Sequence, residues 1–259
     1  MAARAGLEQQ LRGGRYGKPF LVDDGRSRRL HFGLDYVQSE MDLGQPAALA
    51  LRYTRAMMAF LLFLPDPRHI VVVGLGGGSL TKFCHRRLPQ ARVTTVEIDA
   101  DVIAFGGLFD LPAPDARMRL LHADACDYFA GDAAPADVVL LDGCDRNGSA
   151  ASLCSARFYR DVRARLRRFG MAVANITGSP ARAAEHLRLI AGVFDGHVLV
   201  IDLPDCGNRV AFAFNDPRAS PDEAALARRA AELTHRHELD FHEFEFALRR
   251  AWRQRRRRW

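Results

Sequence analysis

Long apolar runs are absent from this 259-residue chain. A membrane-spanning helix needs roughly 18 such residues, and the best candidate, Ala56 to Leu64, is stopped by Pro65, so it reads as a buried helix end. Met1 to Gly17 carry arginines but no apolar core of signal-peptide length. A Cys-x-x-Cys pair is also lacking. The five cysteines, Cys84, Cys126, Cys144, Cys154 and Cys206, are odd in number, which argues against a disulfide framework and a zinc knuckle alike. Together these absences predict a soluble cytoplasmic protein with reduced thiols, no membrane contact and no metal. Lysine is nearly missing, with Lys18 and Lys82 its only representatives.

The positive charge therefore rests on arginine, and its distribution matters more than its sum. The net charge is +6, yet seven arginines fall between Arg249 and Arg258 with no acid among them. Without that stretch 30 basic residues face 31 acidic ones, so the basicity belongs to a tail and not to the body. A solvated, disordered end is the expected state. Contact with nucleic acid is the alternative use of such a run.

Hydrophobic patterning gives the architecture. Phe20 to Val22 and Arg29 to Phe32 flank Asp23-Asp24-Gly25-Arg26, an Asp-Gly hairpin signal. From Pro46 a helix with Leu49, Tyr53, Met57 and Phe60 on one face runs to Pro65. Compact apolar strands follow at Ile70 to Val73, Val93 to Val96, Met118 to Leu121, Val138 to Leu141 and Met171 to Ile176. Amphipathic helices are predicted around Leu80 to Leu88, Asp101 to Leu108 and Phe158 to Phe169. This alternation predicts an α/β fold with a Rossmann-like, doubly wound, mostly parallel sheet. His197 to Leu203 and Arg209 to Phe214 read as a closing antiparallel pair turning at Asn208, and a charged helical extension starts at Pro221 and runs to Trp252.

The strongest local signal is Val73-Gly74-Leu75-Gly76-Gly77-Gly78-Ser79-Leu80, a glycine-rich turn between a buried strand and a helix. Such a turn lets backbone approach a ligand and offers free N–H groups. Glu97 closes the next strand about twenty residues on, where a ribose-binding acid belongs. Ser79 replaces the third glycine of a nicotinamide fingerprint, which makes NAD the weaker choice. Asp124 and Asp142 also end strands, with Asp145 three residues further. Ligands of open α/β sheets lie at the carboxyl ends of strands, so one cleft is expected to collect Gly76, Glu97, Asp124 and Asp142. His235, His237, Glu238 and His242 could be assembled into a metal site, but a solvated helix face is the expected reading. Cys126 and Cys144 are expected to be packed thiols near the cleft.

Asp142-Gly143-Cys144-Asp145-Arg146-Asn147-Gly148-Ser149-Ala150-Ala151-Ser152-Leu153, followed by Phe158-Tyr159, resembles the Asp-Ser-Ser-Asp-Pro-x-Gly-Pro-Ala-x-x-Leu and Phe-Tyr signature of spermidine synthases. Asp115-Ala116-Arg117 is similar to their Asp-Pro-Arg, and Val96-Glu97-Ile98-Asp99 matches their Val-Glu-Ile-Asp. The resemblance runs from about Tyr36 to Ile176. It implies a fold of the class I S-adenosylmethionine-dependent transferase type. With the patterning above, this divides the chain into a short N-terminal β-hairpin segment over 1–45, a Rossmann-like catalytic domain over 46–216, and a C-terminal helix with its arginine-rich tail over 217–259. The resemblance further implies S-adenosylmethionine or its decarboxylated form as co-substrate, a small amine as acceptor, and a homodimer.

By the same resemblance Glu97 binds the ribose and Asp124 the adenine, with Gly74, Gly76, Gly78, Ile98, Ala125 and Gln38 completing the cofactor site. Asp142 is the implied general base, and Asp145 the implied holder of the cationic amine. Two positions depart from the pattern. Gly77 stands where the family has an aspartate facing the aminopropyl amine, and Gln38 stands where it has a tyrosine. The nucleoside half is thus intact and the amine half altered. Aminopropyl transfer to an amine is the first expectation, and methyl transfer from S-adenosylmethionine to another nucleophile is the second. A non-catalytic nucleoside-binding or interaction protein is the third.

Overall fold

His69–Val73 is buried along its whole length, as a run of β-branched residues is when a parallel strand is covered on both faces. In the computed structural model, which describes residues 18–33, 37–145, 148–216, 218 and 223–256, that strand lies near the middle of a seven-stranded sheet. The strands, in chain order, are β1 (Phe20–Asp23), β2 (Ser27–His31), β3 (Val37–Asp42), β4 (His69–Val73), β5 (Arg92–Glu97), β6 (Met118–His122), β7 (Ala136–Leu141), the two-residue β8 (Cys144–Asp145) and β9 (Gly148–Ser149), β10 (Leu166–Ile176), β11 (Val198–Leu203) and β12 (Asn208–Phe214). The helices are α1 (Arg52–Met57), α2 (Ser79–Arg87), α3 (Ala100–Ala104), α4 (Ala125–Ala130), α5 (Ala156–Arg165), α6 (Pro180–Val193), α7 (Glu223–His237) and α8 (Phe241–Arg256).

The order of the large sheet is β11-β12-β10-β7-β4-β5-β6. β10, β7, β4, β5 and β6 are parallel, while β12 runs antiparallel to β10 and β11 to β12. From β4 the chain winds outward through β5 and β6, then returns to β7 on the other side of β4. The order reverses between β4 and β7, and a crevice opens above the carboxyl ends of strands at such a point.

Each face of the sheet carries its own core. Ile70, Val72, Leu140 and Phe212 pack on one side with Met58 to Phe63 and with Leu226, Phe241, Phe244 and Leu248 of the C-terminal helices. Val71, Val139 and Ala172 pack on the other with Phe129, Phe158 and Ile190 from α4, α5 and α6. The C-terminal helices therefore share the main core of the sheet. Among the described residues no helix is long and apolar enough to cross a membrane.

Several elements differ from the sequence expectation. The N-terminal hairpin gains a third strand, β3, paired to β2. The helix expected from Pro46 begins only at Arg52 and tightens to a 3-10 turn over Met58–Leu62, while Pro221, expected to open the last helical segment, lies outside the described residues. α5 stops at Arg165 because the chain already enters β10 at Leu166. The single C-terminal helix is two: Glu238 turns with φ 58°, and Asp240 Oδ1 accepts from the N–H groups of His242 and Glu243 to start α8. His237 is not on a solvated face but buried at 1% exposure between Phe83 and Phe241. Among the described residues His, Cys, Asp and Glu form no cluster able to hold a metal. Asn208 is not the turn between the last strands; it opens β12 and is buried, the turn falling before it at 204–207.

Candidate active site

Gly74 follows β4 with φ +90°, and a Cβ there would lie 2.6 Å from the Asp142 carbonyl oxygen. Only glycine lets the ends of β4 and β7 come this close. Backbone bonds from Asp142 N–H to the Val73 oxygen and from Gly74 N–H to the Val96 oxygen, both 2.9 Å, tie the ends of β7, β4 and β5 together. Above them lies a cleft of about 950 Å³, within the size range of small-ligand sites.

One half of the cleft is made from the first three parallel strands. Glu97, buried at the end of β5, accepts the Leu75 N–H on Oε2 at 2.7 Å and the Asp99 N–H on Oε1 at 2.8 Å. The glycine-rich turn and the acid are thereby one rigid unit. Asp124, at the end of β6, caps α4 by accepting the Cys126 N–H at 2.7 Å. Ile98 is 63% exposed and presents an apolar face beside them. Gly74, Gly76, Ile98 and Ala125 share this wall with the two acids. Gly78 is not part of it; it precedes α2 with φ +70°, packed under Leu111.

The other half is built around Asp142. Its Oδ1 accepts from Asn175 Nδ2 on β10 at 2.8 Å, and its Oδ2 accepts from the Tyr53 hydroxyl on α1 at 3.2 Å. Loss of hydration pushes the Asp142 carboxyl up to about 7, against the opposing pull of those two donors. Burial and the neighbouring Asp142 charge likewise push the Tyr53 phenol well above its ordinary range. A carboxyl poised near neutrality with an edge on a cleft can take up a proton at physiological pH. Thr177, Arg182, Cys206 and the buried Asn208 complete the lining of this half. Cys144 also lines the cleft, whereas Cys126 does not and has its thiol 3.6 Å from the Ser152 oxygen.

Gln38 and Ser39 reach the cleft from β3. A Cβ at Gly77 would stand 2.7 Å from both the Phe109 ring and Ser39 Oγ, so a side chain there requires these neighbours to move. Phe109 is fully buried, and Lys82 Nζ donates to its carbonyl oxygen at 2.6 Å from beneath. Burial pulls the Lys82 ammonium down to about 8. Of the expected site residues, the fold brings together Gln38, Gly74, Gly76, Glu97, Ile98, Asp124, Ala125 and Asp142. The Asp145 side chain, with Arg146 and Asn147, lies outside the described residues, as do Leu34 to Tyr36 before β3. Sequence reasoning missed Tyr53 and Asn175 as partners of Asp142. Tyr53 carries only a helix-face signal and Asn175 is one polar residue inside an apolar strand run, the single hint that it faces something other than core.

No family model matches the chain. Among curated relatives, the polyamine aminopropyltransferase of Neisseria meningitidis is 36% identical over 224 residues, 86% of this chain and 85% of that protein. That of Chromobacterium violaceum is 35% identical over 225 residues, 86% of either chain. Among solved structures, human methyltransferase-like protein 13 in complex with SAH superposes with a TM-score of 0.66 at 24% identity, covering 73% of this chain and 93% of that one. The latter likeness extends to the fold alone.

Proposed function

The chain belongs to the polyamine aminopropyltransferase family, and from that premise we propose that it transfers an aminopropyl group from decarboxylated S-adenosylmethionine to a small amine. The glycine turn with Glu97 and Asp124 is the adenosyl site. Glu97 holds the ribose hydroxyls through the lone pairs its backbone bonds leave free, Asp124 takes the adenine amino group, and Ile98 lies against the base. The fit rests on two acids fixed by backbone N–H groups at adjoining strand ends, with Gly74 and Gly76 beside them in the cleft wall.

The reaction needs an unprotonated amine in line with a carbon that the sulfonium already makes electrophilic. The amine lone pair forms the new N–C bond while the C–S bond breaks, its electron pair passing to sulfur to give methylthioadenosine. The amine proton goes to the Asp142 carboxylate. The observation that carries this reading is Asp142 itself: a carboxyl between the adenosyl half and the open half of the cleft, held by two donors and titrating near neutrality. Asp145 is assigned to the cationic acceptor, as the paired acid of the same loop. Incubation with decarboxylated S-adenosylmethionine and a panel of diamines and triamines, followed by chromatography, tests the assignment. Equimolar methylthioadenosine and aminopropylated amine are expected. Formation of S-adenosylhomocysteine from S-adenosylmethionine, with no methylthioadenosine from the decarboxylated form, would sink it.

A further inference from the structure

The Asp142 carboxylate ends a hydrogen-bond chain that begins on another strand. Asn208, the first residue of β12, donates from Nδ2 to Asn175 Oδ1 at 2.8 Å, and Asn175 donates from Nδ2 to Asp142 Oδ1 at 2.8 Å. Both amides are buried, with exposures of 8% and 5%. A side-chain amide has one accepting end and one donating end, so occupying the first orients the second. With its oxygen engaged by Asn208, Asn175 turns N–H groups and not its carbonyl toward Asp142. An N–H donor favours the ionised carboxylate, whereas a carbonyl in its place favours the protonated acid, the only form able to donate to it.

The surroundings hold this chain of contacts in place. Asn175 lies opposite Val210 in the β10–β12 ladder, and Asn208 lies opposite Leu203 at the closed end of the β11–β12 hairpin. Asp205 in that hairpin turn pairs with Arg52 at 2.6 Å, and Arg52 also pairs with Glu243 of α8. Arg52 adjoins Tyr53, so both donors to Asp142 are braced by the same turn. Among the described residues the Tyr53 phenol from α1 contacts Asp142, while the Cys144 thiol from β8 and the Cys206 thiol from the hairpin turn act on Tyr53 and line the same cleft. Glu97, Asp124, Arg52 and Arg182 stand further around the cleft wall.

We propose that Asn208 and Asn175 are positioning residues for the transfer reaction: Asn208 fixes the direction of the Asn175 amide, and Asn175 thereby holds Asp142 in its ionised, proton-accepting form. The inference rests on the reading of Asp142 as general base. It goes beyond that reading by assigning control of the base to a residue two bonds removed from it.

Carbon-13 NMR titration of the Asp142 side-chain carboxyl, its signal identified by loss in Asp142→Asn, reads the effect without turnover. Asn175→Leu and Asn208→Leu are expected to raise the titration midpoint by about one pH unit. Asn208→Asp replaces the donor by an acceptor of the same shape, turns the Asn175 amide round and raises the midpoint further; it serves also where the leucine variants fold poorly. The acid limb of kcat, followed by methylthioadenosine release, moves with the midpoint, giving about tenfold loss at pH 6.5 and near recovery at pH 9, with KM for the amine nearly constant. An unmoved midpoint in the Asn208 variants overturns the relay, as does an equal loss of kcat at every pH, which marks a structural role only. A wild-type protein that titrates as described but releases no methylthioadenosine overturns the reaction assignment instead.

Discussion

The two halves of the cleft use the same residue type in different settings. On the nucleoside side, Glu97 and Asp124 are gripped by backbone N–H groups that belong to the turn and to a helix start. On the acceptor side, Asp142 is gripped by a phenol and an amide, and its burial lifts it to about 7. Backbone donors are fixed by the fold itself and suit a carboxylate whose work is to hold a ligand. Side-chain donors leave room for a proton to come and go. On the proposed roles, what donates to a strand-end carboxylate separates the ligand holder from the base.

The largest break in that comparison is expected from Asp142→Asn. Turnover should fall by about 10²–10⁴-fold in a methylthioadenosine assay, while calorimetric affinity for methylthioadenosine stays within a factor of about two. The same substitution should stabilise the protein. A carboxyl raised from 3.8 to about 7 on folding binds more protons in the native state, so stability falls as pH rises through that window. At pH 8 the asparagine variant should gain on the order of 1–3 kcal/mol in denaturant unfolding. A loss of stability there would show that Asp142 is structural.

Glu97→Gln should produce the complementary effect. It weakens a charge-assisted contact of about 1.5–3 kcal/mol, so adenosyl affinity should drop by about 10–100-fold while kcat at saturation changes far less. Comparable loss in kcat would erase the division of labour between the halves. Smaller again is the pH dependence of the wild-type enzyme. Below pH 7 kcat should fall by about tenfold per pH unit as Asp142 becomes protonated, and a flat profile from pH 5 to 8 would remove the base from the mechanism.

Gly77→Asp sharpens the contrast with the family pattern. Its Cβ meets the Phe109 ring and Ser39 Oγ at 2.7 Å, so restoring the carboxylate should destabilise by about 1–3 kcal/mol. Thermal unfolding measures it, with no gain in turnover expected. A stable, faster variant would mean that Phe109 and β3 yield easily and that the acceptor half is less committed than its packing indicates.

Much of the nucleoside half was legible in the sequence because each part is local. The β-branched run of β4, the glycines after it and the acids closing β5, β6 and β7 follow from strand patterning and from where ligands sit on such sheets. Other features had no local signature. Ala125–Ala130 is too short for helical periodicity to declare itself, and β3 lacks a strong alternating pattern. His237 sits in a charged sequence, yet the face it occupies turns inward against Phe83 and Phe241.

Composition, strand pattern and motif spacing thus determined the α/β architecture, the position of the glycine-rich turn and the placement of Glu97, Asp124 and Asp142 at strand ends around one cleft. The company Asp142 keeps was decided only by the tertiary structure. Tyr53 and Asn175 are 89 and 33 residues away from it along the chain, and Asn208 a further 33 beyond Asn175. Hydrogen-bond partners so distant in sequence are chosen by sheet order and register, which local patterning does not record.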